Sequence, residues 1–407
     1  MKGKSFKKLV VLGVSAMVVA LLAGGVLGCT KGLSEPEVTE WNLPVVTPLT
    51  GGFAGFGLEG KWAIEAAVED INAVGGIAGK PIKVTFYDGS SDPAKSNAAM
   101  ARALDTNPLM VGLGSAEPGV RGAMPLVVEN ELIAIGPAMG TIFAREFEPW
   151  AVCLMPYDEN CCGSADVAWL EREPDIKTVV PIFENTIQWY GNCNKNRVRW
   201  LEEAGITVLK PVTFEQAAAV DFGSLAVSAL GQEADGYIFT SNGDPVAKTI
   251  IEMHRRGMTD NRRISIAVSA DYPELYEIGE GYIDGCYMSA FYDINHDTEQ
   301  WQSIKARYGA SRDVPMGFGT SLSYDVPWLF KRAVEATGVT GDPAKLAEER
   351  LILAEWAYNQ KDYPLVMGPT DIIDGIAMQP IFLCKIEDNQ KVLIEVVPSP
   401  GVPAAYR

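Results

Sequence analysis

The sequence predicts an α/β protein whose parallel sheets are covered by helices and organised as two units in series. Short apolar strands alternate with amphipathic helices along most of the chain, a pattern that belongs to parallel sheets buried on both faces. Once a leader is set aside, about 380 of the 407 residues remain, more than one typical domain, so two lobes are expected. The chain shows no tandem repeat at solenoid spacing and no second apolar run long enough to span a bilayer.

The leader is read from its charge and hydropathy. Lys2, Lys4, Lys7 and Lys8 form a basic start, Leu9 to Gly25 is apolar, and Val26-Leu27-Gly28-Cys29 follows. This is the layout of a signal peptide, and the small residue before Cys29 is similar to the bacterial lipobox, in which the cysteine is lipidated. Residues 1–28 are expected to be a lipoprotein signal peptide and 29–40 a lipid-anchored tether, polar, acidic and proline-containing. Lipid on Cys29 would hold the protein at a membrane surface outside the cytoplasm, in the periplasm or on the outer face of the cell membrane. An uncleaved membrane anchor is the alternative reading.

Removing the leader's four lysines takes the formal charge from −18 to −22. So acidic a chain repels phosphate backbones, which argues against nucleic acid as a partner. Six cysteines follow Cys29: Cys153, Cys161, Cys162, Cys193, Cys286 and Cys384. An even number in an exported chain makes disulfides plausible, with connectivity open, and free buried thiols are the alternative. No CxxC pair exists and His254 and His296 stand far from the cysteines in sequence, so no metal site is expected.

The elements follow in order. Gly51, Gly52, Gly55 and Gly57 keep a loop bare. Ile64, Ala67, Val68 and Ile71 then repeat as one helical stripe that ends at Gly75-Gly76. Ile82, Val84 and Phe86 alternate as a strand, and Asp92-Pro93 reads as an N-cap and first-turn proline. Leu109–Leu113 and Leu132–Gly136 are strands that flank a helix carrying Val120, Met124, Val127 and Val128. A second unit starts near Tyr157, with strands at Thr178–Phe183, Ile206–Leu209, Tyr237–Thr240 and Ile264–Val268 and helices at about 191–204, 222–231 and 245–257. Met288–Ile294 reads as a return segment, and helices follow near 298–308 and 321–337.

Open α/β sheets collect ligands at the carboxyl ends of their strands, where glycine turns and helix N-termini present N–H groups. That rule selects Phe56, Ser115, Ala116, Glu117, Ala138, Met139, Gly140, Thr141, Tyr157, Tyr190, Asn242, Asp244 and Asp271. Ser115 and Thr141 suit an anion, and suit helix caps as well. Asp244, before Pro245, suits a cap better.

The segments PLTGGFAGFG, AVEDINAVGGIAGKPI and YDGSSDPAKSNAAM, within residues 47–104, resemble the N-terminal signature of type I periplasmic binding proteins. The nearest group is the branched-chain (leucine/isoleucine/valine) amino-acid binding proteins of ABC importers, and the likeness stays in step to about Gly338. The resemblance implies two Rossmann-like lobes joined by a three-segment hinge that closes in the manner of a Venus flytrap. Residues 41–157 plus 294–376 would form the N-terminal lobe, and 158–293 plus 377–407 the C-terminal lobe.

It also implies roles. GLGSAEPG and PAMGT occupy the places where the family holds an α-carboxylate, which points to Ser115 and Thr141. Asp271 falls where relatives carry an acid for the α-ammonium, and Asn242 lies near a contact position. Tyr190 matches a C-lobe tyrosine that closes over the ligand, Phe56 covers it, and Tyr157 sits at the first crossing. Glu117 departs from the pattern, because an acid beside a carboxylate site is unfavourable. A small-molecule ligand is implied, with apolar branched-chain amino acids the leading class and ABC permease subunits the partners. A short amide, urea or a carboxylate, or service as a ligand sensor, are the alternatives. No cofactor is implied and no catalysis: there is no GxSxG elbow, and neither histidine sits in a triad-like context.

Overall fold

The computed structural model describes residues 38–114, 116–137, 140–156, 162–215, 219–312 and 316–398. The expected leader, Cys29 as the expected lipidation site, and Cys161 lie outside them. Among the described residues no helix is long and apolar enough to cross a membrane.

The strands in chain order are β1 Trp41–Thr47, β2 Ile82–Asp88, β3 Met110–Leu113, β4 Ile133–Gly136 and β5 Ala151–Cys153, then β6 Thr178–Glu184, β7 Thr207–Val208, β8 Val212–Phe214, β9 Gly236–Thr240, β10 Ile264–Ile266 and β11 Tyr287–Ala290. The last five are β12 Gln360–Leu365, β13 Gly368–Ile373, β14 Ile376–Ala377, β15 Ile381–Glu387 and β16 Gln390–Val397. The helices are α1 Ala54–Ala73, α2 Pro93–Leu104, α3 Glu117–Glu129, α4 Thr141–Glu146, α5 Gly163–Arg172 and α6 Gln188–Glu203, then α7 Phe222–Leu230, α8 Gly243–Arg255, α9 Pro273–Gly279, α10 Glu299–Ser311, α11 Phe318–Thr337 and α12 Leu346–Tyr358.

Two eight-stranded sheets result. The first runs β12-β13-β14-β5-β4-β3-β1-β2, and the second β16-β15-β11-β10-β9-β6-β7 with β8 beside β6. The chain passes between them after β5, after β11 and after β14. Within each sheet the consecutive α/β units pair in parallel, for instance β1 with β2 and β6 with β9. The antiparallel strands are late additions: β12 and β13 at one edge, and the β15–β16 hairpin laid against β11.

Local chemistry explains the boundaries. The Asp92 side chain accepts the Lys95 N–H at 2.9 Å with Pro93 behind it, so α2 starts where the sequence predicts. Gly338, at φ +70°, ends α11 in a left-handed cap. Two features escaped the sequence reading. Strands β12 and β13 carry Pro364 and Pro369, which demote a strand pattern; β12 is the edge strand, and Pro369 lies at the start of β13, before the stretch from Ile372 that pairs with β14. Helix α12 buries Glu349, Leu353, Ala354, Ala357 and Tyr358, a face that its charged residues obscure in the sequence.

The second sheet is fastened to its helices by one buried ion pair. Arg197 on α6 and Asp166 on α5 are 0% and 1% exposed. Arg197 donates to both Asp166 oxygens at 2.7 and 2.8 Å, to the Phe239 carbonyl at 2.6 Å, and to the Thr240 hydroxyl at 3.0 Å. Ser265 on β10 donates to the same carboxylate at 2.6 Å. Two helices and two strands therefore share one charge pair that is also fully hydrogen-bonded. Arg197→Met leaves Asp166 buried without its cation and is expected to lower stability by about 3–5 kcal/mol, read from chemical denaturation. A loss under about 1 kcal/mol would show that the pair holds nothing together.

Candidate functional site

Two aromatic rings bracketed by glycines define the floor of the space between the sheets. Phe56 lies between Gly55 and Gly57 in the first turns of α1, and Phe318 between Gly317 and Gly319 at the start of α11. The glycines are needed for close approach. A Cβ on Gly57 would lie 1.9 Å from the Pro48 carbonyl, and one on Gly317 would meet Glu59 Oε2 and the Asp271 carbonyl at 2.8 and 2.9 Å. The Phe318 ring lies 5.5 Å from Phe56, 5.4 Å from Tyr272 and 5.7 Å from Phe291. It thereby joins α1, the start of α9 and the crossing segment after β11.

Above this floor is a cavity of about 790 Å³, its open mouth included. From the first sheet's side Phe56, Ala116, Glu117, Gly140 and Phe143 line it; from the second sheet's side Gln188, Trp189, Tyr190 and Ser269 do. Of the residues expected from the sequence, the structure brings Phe56, Ala116, Glu117, Gly140 and Tyr190 together here. Asn242 and Asp244 stand in an adjoining, more polar pocket that shares Phe56 and is also lined by Tyr272 and Glu274. Asn242 is tied to the first cavity through Tyr190, whose hydroxyl donates to its Oδ1. Burial pushes the Tyr190 phenol far above its usual range, so it acts as a donor. Ser115, Ala138, Met139, Tyr157 and the Thr141 side chain lie outside the described residues.

The electrostatics differ from expectation at two acids. Glu117, in the first turn of α3, accepts from Arg121 Nε at 3.0 Å, and the same guanidinium lies 4.9 Å from the centre of the Phe143 ring. Asp271 is absent from both pockets. It is fully buried, with one oxygen taken by the Lys391 ammonium and the other by the Tyr276 hydroxyl at 2.9 Å. Lys391 also bonds the Tyr292 hydroxyl and lies 3.8 Å from that ring's centre, and Tyr292 in turn donates to the Met316 carbonyl.

Neutral donors make up the polar part of the wall. Ala116 and Ile187, the N-cap positions of α3 and α6, supply no side-chain cap, and both line the cavity. Pro118 has no N–H and Gly119 donates to the Ala116 carbonyl at 3.0 Å, so the Glu117 N–H and the helix dipole are what the start of α3 offers an anionic group. Phe318, Phe143 and Trp189 complete the apolar wall. Phe318 was missed by sequence reasoning, although its glycine bracket repeats that of Phe56 and is the signal that could have found it.

Glu59 supports the floor from beneath. Its Oε1 accepts from the Gly317 N–H at 2.7 Å and from the Thr320 hydroxyl at 2.7 Å. Burial first, and the nearby Asp271 charge, raise its carboxyl to about 7 against these bonds. Asp325 on α11, buried and accepting the Val366 N–H at 3.1 Å, is likewise raised by burial to about 7.

An α/β fold with two sheets, crossed three times by the chain around a cleft, defines a solute-binding protein of the periplasmic type. A family description, Periplasmic binding protein, matches residues 40–391, and the chain belongs to that family. An amino acid binding protein of Pseudomonas aeruginosa is 24% identical over 345 residues, covering 84% of this chain and 88% of the relative. A branched-chain amino acid transporter substrate binding protein, LivJ of Streptococcus pneumoniae, in complex with isoleucine, superposes with a TM-score of 0.76 at 17% identity, covering 88% of this chain and 99% of that one. A solute binding protein of an ABC transporter from Rhodopseudomonas palustris, in complex with 3,4-dihydroxybenzoic acid, also gives 0.76 at 17% identity, covering 90% and 99%.

Glu59 and Asp325 give the stability a defined pH dependence. Both carboxyls titrate near 4 in the unfolded chain, so between about pH 4 and 7 the folded protein holds protons that the unfolded chain has lost. The stability they contribute is complete below that window and is lost as pH rises through about 7. Melting temperature is expected to fall between about pH 5 and 8, and Glu59→Gln to flatten the fall. An unchanged slope in Glu59→Gln would exclude Glu59 as its source.

Proposed function

We propose that this protein is the extracytoplasmic, lipid-anchored substrate-binding component of an ABC importer, and that it captures a small carboxylate with an apolar body between its lobes. One observation carries the reading: an apolar cavity is lined from both sheets, with the start of α3 in its wall. The start of α3 attracts the carboxylate, while the faces of Phe56, Tyr190 and Phe318 take the body. Closure of the lobes removes the ligand from water and strengthens its hydrogen bonds. The ligand shifts the open–closed equilibrium only as far as it binds the closed form better, and the permease reads that form. An amino acid is the second reading, favoured by the Glu117 carboxylate in the same cavity and by the names of the relatives.

The class is tested by thermal shift of the mature protein, stripped of ligand by unfolding and refolding. The panel holds amino acids, aliphatic and aromatic acids, short amides, urea and sugars. Bound ligand stabilises the fold by RT ln(1 + [L]/Kd), so a rise with acids, with or without an amine, is expected. A rise only with amides, urea or sugars would discard the carboxylate. Phe56→Ala should weaken the best acid by about 1–2 kcal/mol. Cys29→Ser is expected to move the protein from the membrane fraction to the soluble one; retention after carbonate washing would favour an uncleaved anchor instead.

A further inference from the structure

We propose that Cys162 and Cys193 join as a disulfide once the chain has left the reducing cytoplasm, a covalent brace behind the cavity wall that α6 supplies. Its oxidising surroundings rest on the extracytoplasmic reading above; its choice of partners rests on geometry.

Cys162 is the N-cap residue of α5, and Cys193 lies in the second turn of α6, 31 positions along the chain. Their side chains meet in the interior. The Cys193 thiol donates to the Cys162 sulfur at 3.7 Å, and the two residues are 2% and 0% exposed. A disulfide holds its sulfurs at about 2.0 Å, and the remaining shift of about 1.7 Å is what rotation of one thiol about its Cα–Cβ bond supplies. The approach is built into the backbone. Cys162 stands at φ +82°, a conformation that a residue with a side chain rarely adopts and keeps only where its surroundings impose it. Next to it, Gly163 lets α5 press on α6, since a Cβ there would lie 2.4 Å from Trp200 Cδ1. From a third side the Ser289 hydroxyl on β11 donates to the Cys162 sulfur at 3.1 Å. The other described cysteines are placed differently. Cys384 opposes Met288, not Cys286, across the β11–β15 ladder. Burial pushes both of those thiols up, Cys384 to about 12, which withholds the thiolate that exchange requires. Cys153 directs its thiol at the Met155 carbonyl, 3.8 Å away.

The oxidant is itself a disulfide, carried by a dithiol oxidoreductase or by a small molecule. The Cys193 thiol gives up its proton, and its sulfur attacks the oxidant, forming a mixed disulfide and releasing one oxidant sulfur as a thiolate. The Cys162 thiol then loses its proton, and its sulfur attacks the Cys193 sulfur and expels the second oxidant sulfur. The two cysteines are oxidised by two electrons, and the oxidant leaves as two thiols holding the two protons. Such exchange needs access, so the bond forms while the lobe folds, and burial then protects it. Its place gives it a task. Gln188, Trp189, Tyr190 and Asn192, in the first turns of α6, line the cavity. The bridge fastens that stretch of α6 to the start of α5, against β11, and holds the Tyr190 side of the wall whether or not ligand is bound.

For the test, the mature protein is refolded in a buffer of reduced and oxidised glutathione, alkylated, and digested with trypsin without reduction. Peptides 146–172 and 178–195 are expected as one species, lighter by two hydrogens than their sum, with fragmentation placing the bond on Cys162. Cys286 and Cys384 are expected alkylated. Recovery of the two peptides apart, or joined through Cys153 or Cys161, would overturn the inference. Reductant should lower the melting temperature of the wild type by about 5 °C and leave that of Cys193→Ser unmoved, with Cys193→Ala as the second variant should the first not fold. No fall in the wild type, or an equal fall in the variant, would overturn the brace. Refolding involves no export, so pairing and location are decided separately. A bridge that forms on refolding but is missing from protein alkylated at lysis of the producing cells would contradict the extracytoplasmic reading and leave the pairing standing.

Discussion

A carboxylate sealed from water stays charged where a cation answers it, and one such pair joins the elements behind the cleft. Asp271 and Lys391 meet where the wall behind Ser269, the crossing segment at Tyr292 and the C-terminal hairpin come together. Tyr292 passes the constraint to the Met316 carbonyl, and the next residues, Gly317 and Phe318, carry the cavity floor. Gly317 is bonded in turn to Glu59 on α1. Elements of both sheets are thus tied into one chain of buried polar contacts beneath the cavity, and the position of Phe318 follows from it. Each link is satisfied by a named partner, which is what allows so many polar groups to stay out of water.

This arrangement separates two jobs that a ligand site often mixes. Charge is neutralised beneath and behind the wall, by Lys391 on Asp271 and by Arg121 on Glu117. Shape is supplied in front of it, by Phe56, Phe318, Tyr190 and Trp189. What remains polar in the cavity is the start of α3 with the Arg121-bound Glu117, and the side chains of Gln188, Tyr190, Asn192 and Ser269. Under the proposed reading such a site discriminates by the size and shape of the ligand's apolar body.

Much of this architecture was legible in the sequence. The apolar stripe of α1, the Asp92-Pro93 start of α2 and the strands near residues 110, 133, 178 and 237 stand where periodicity and capping chemistry put them. Local patterns report local structure, and these elements are locally determined. The antiparallel additions were not legible, because Pro364 and Pro369, which face each other across the β12–β13 hairpin, interrupt its strand pattern. The site divides in the same way. Phe56, Glu117 and Tyr190 follow from the rule that ligands gather at strand ends. The state of Asp271 does not, since Lys391 lies 120 positions away and nothing in the loop SADYPEL announces a lysine. Phe318 belongs to the same class: a long-range contact whose only local mark is its pair of glycines.

The most direct measurement is a crystal structure of the mature protein with 3-phenylpropanoate bound. The account predicts the carboxylate at the start of α3, the ring among Phe56, Tyr190 and Phe318, and Lys391 still on Asp271. A cleft left empty at saturating acid, or Asp271 released from Lys391 and turned to the ligand, would contradict it.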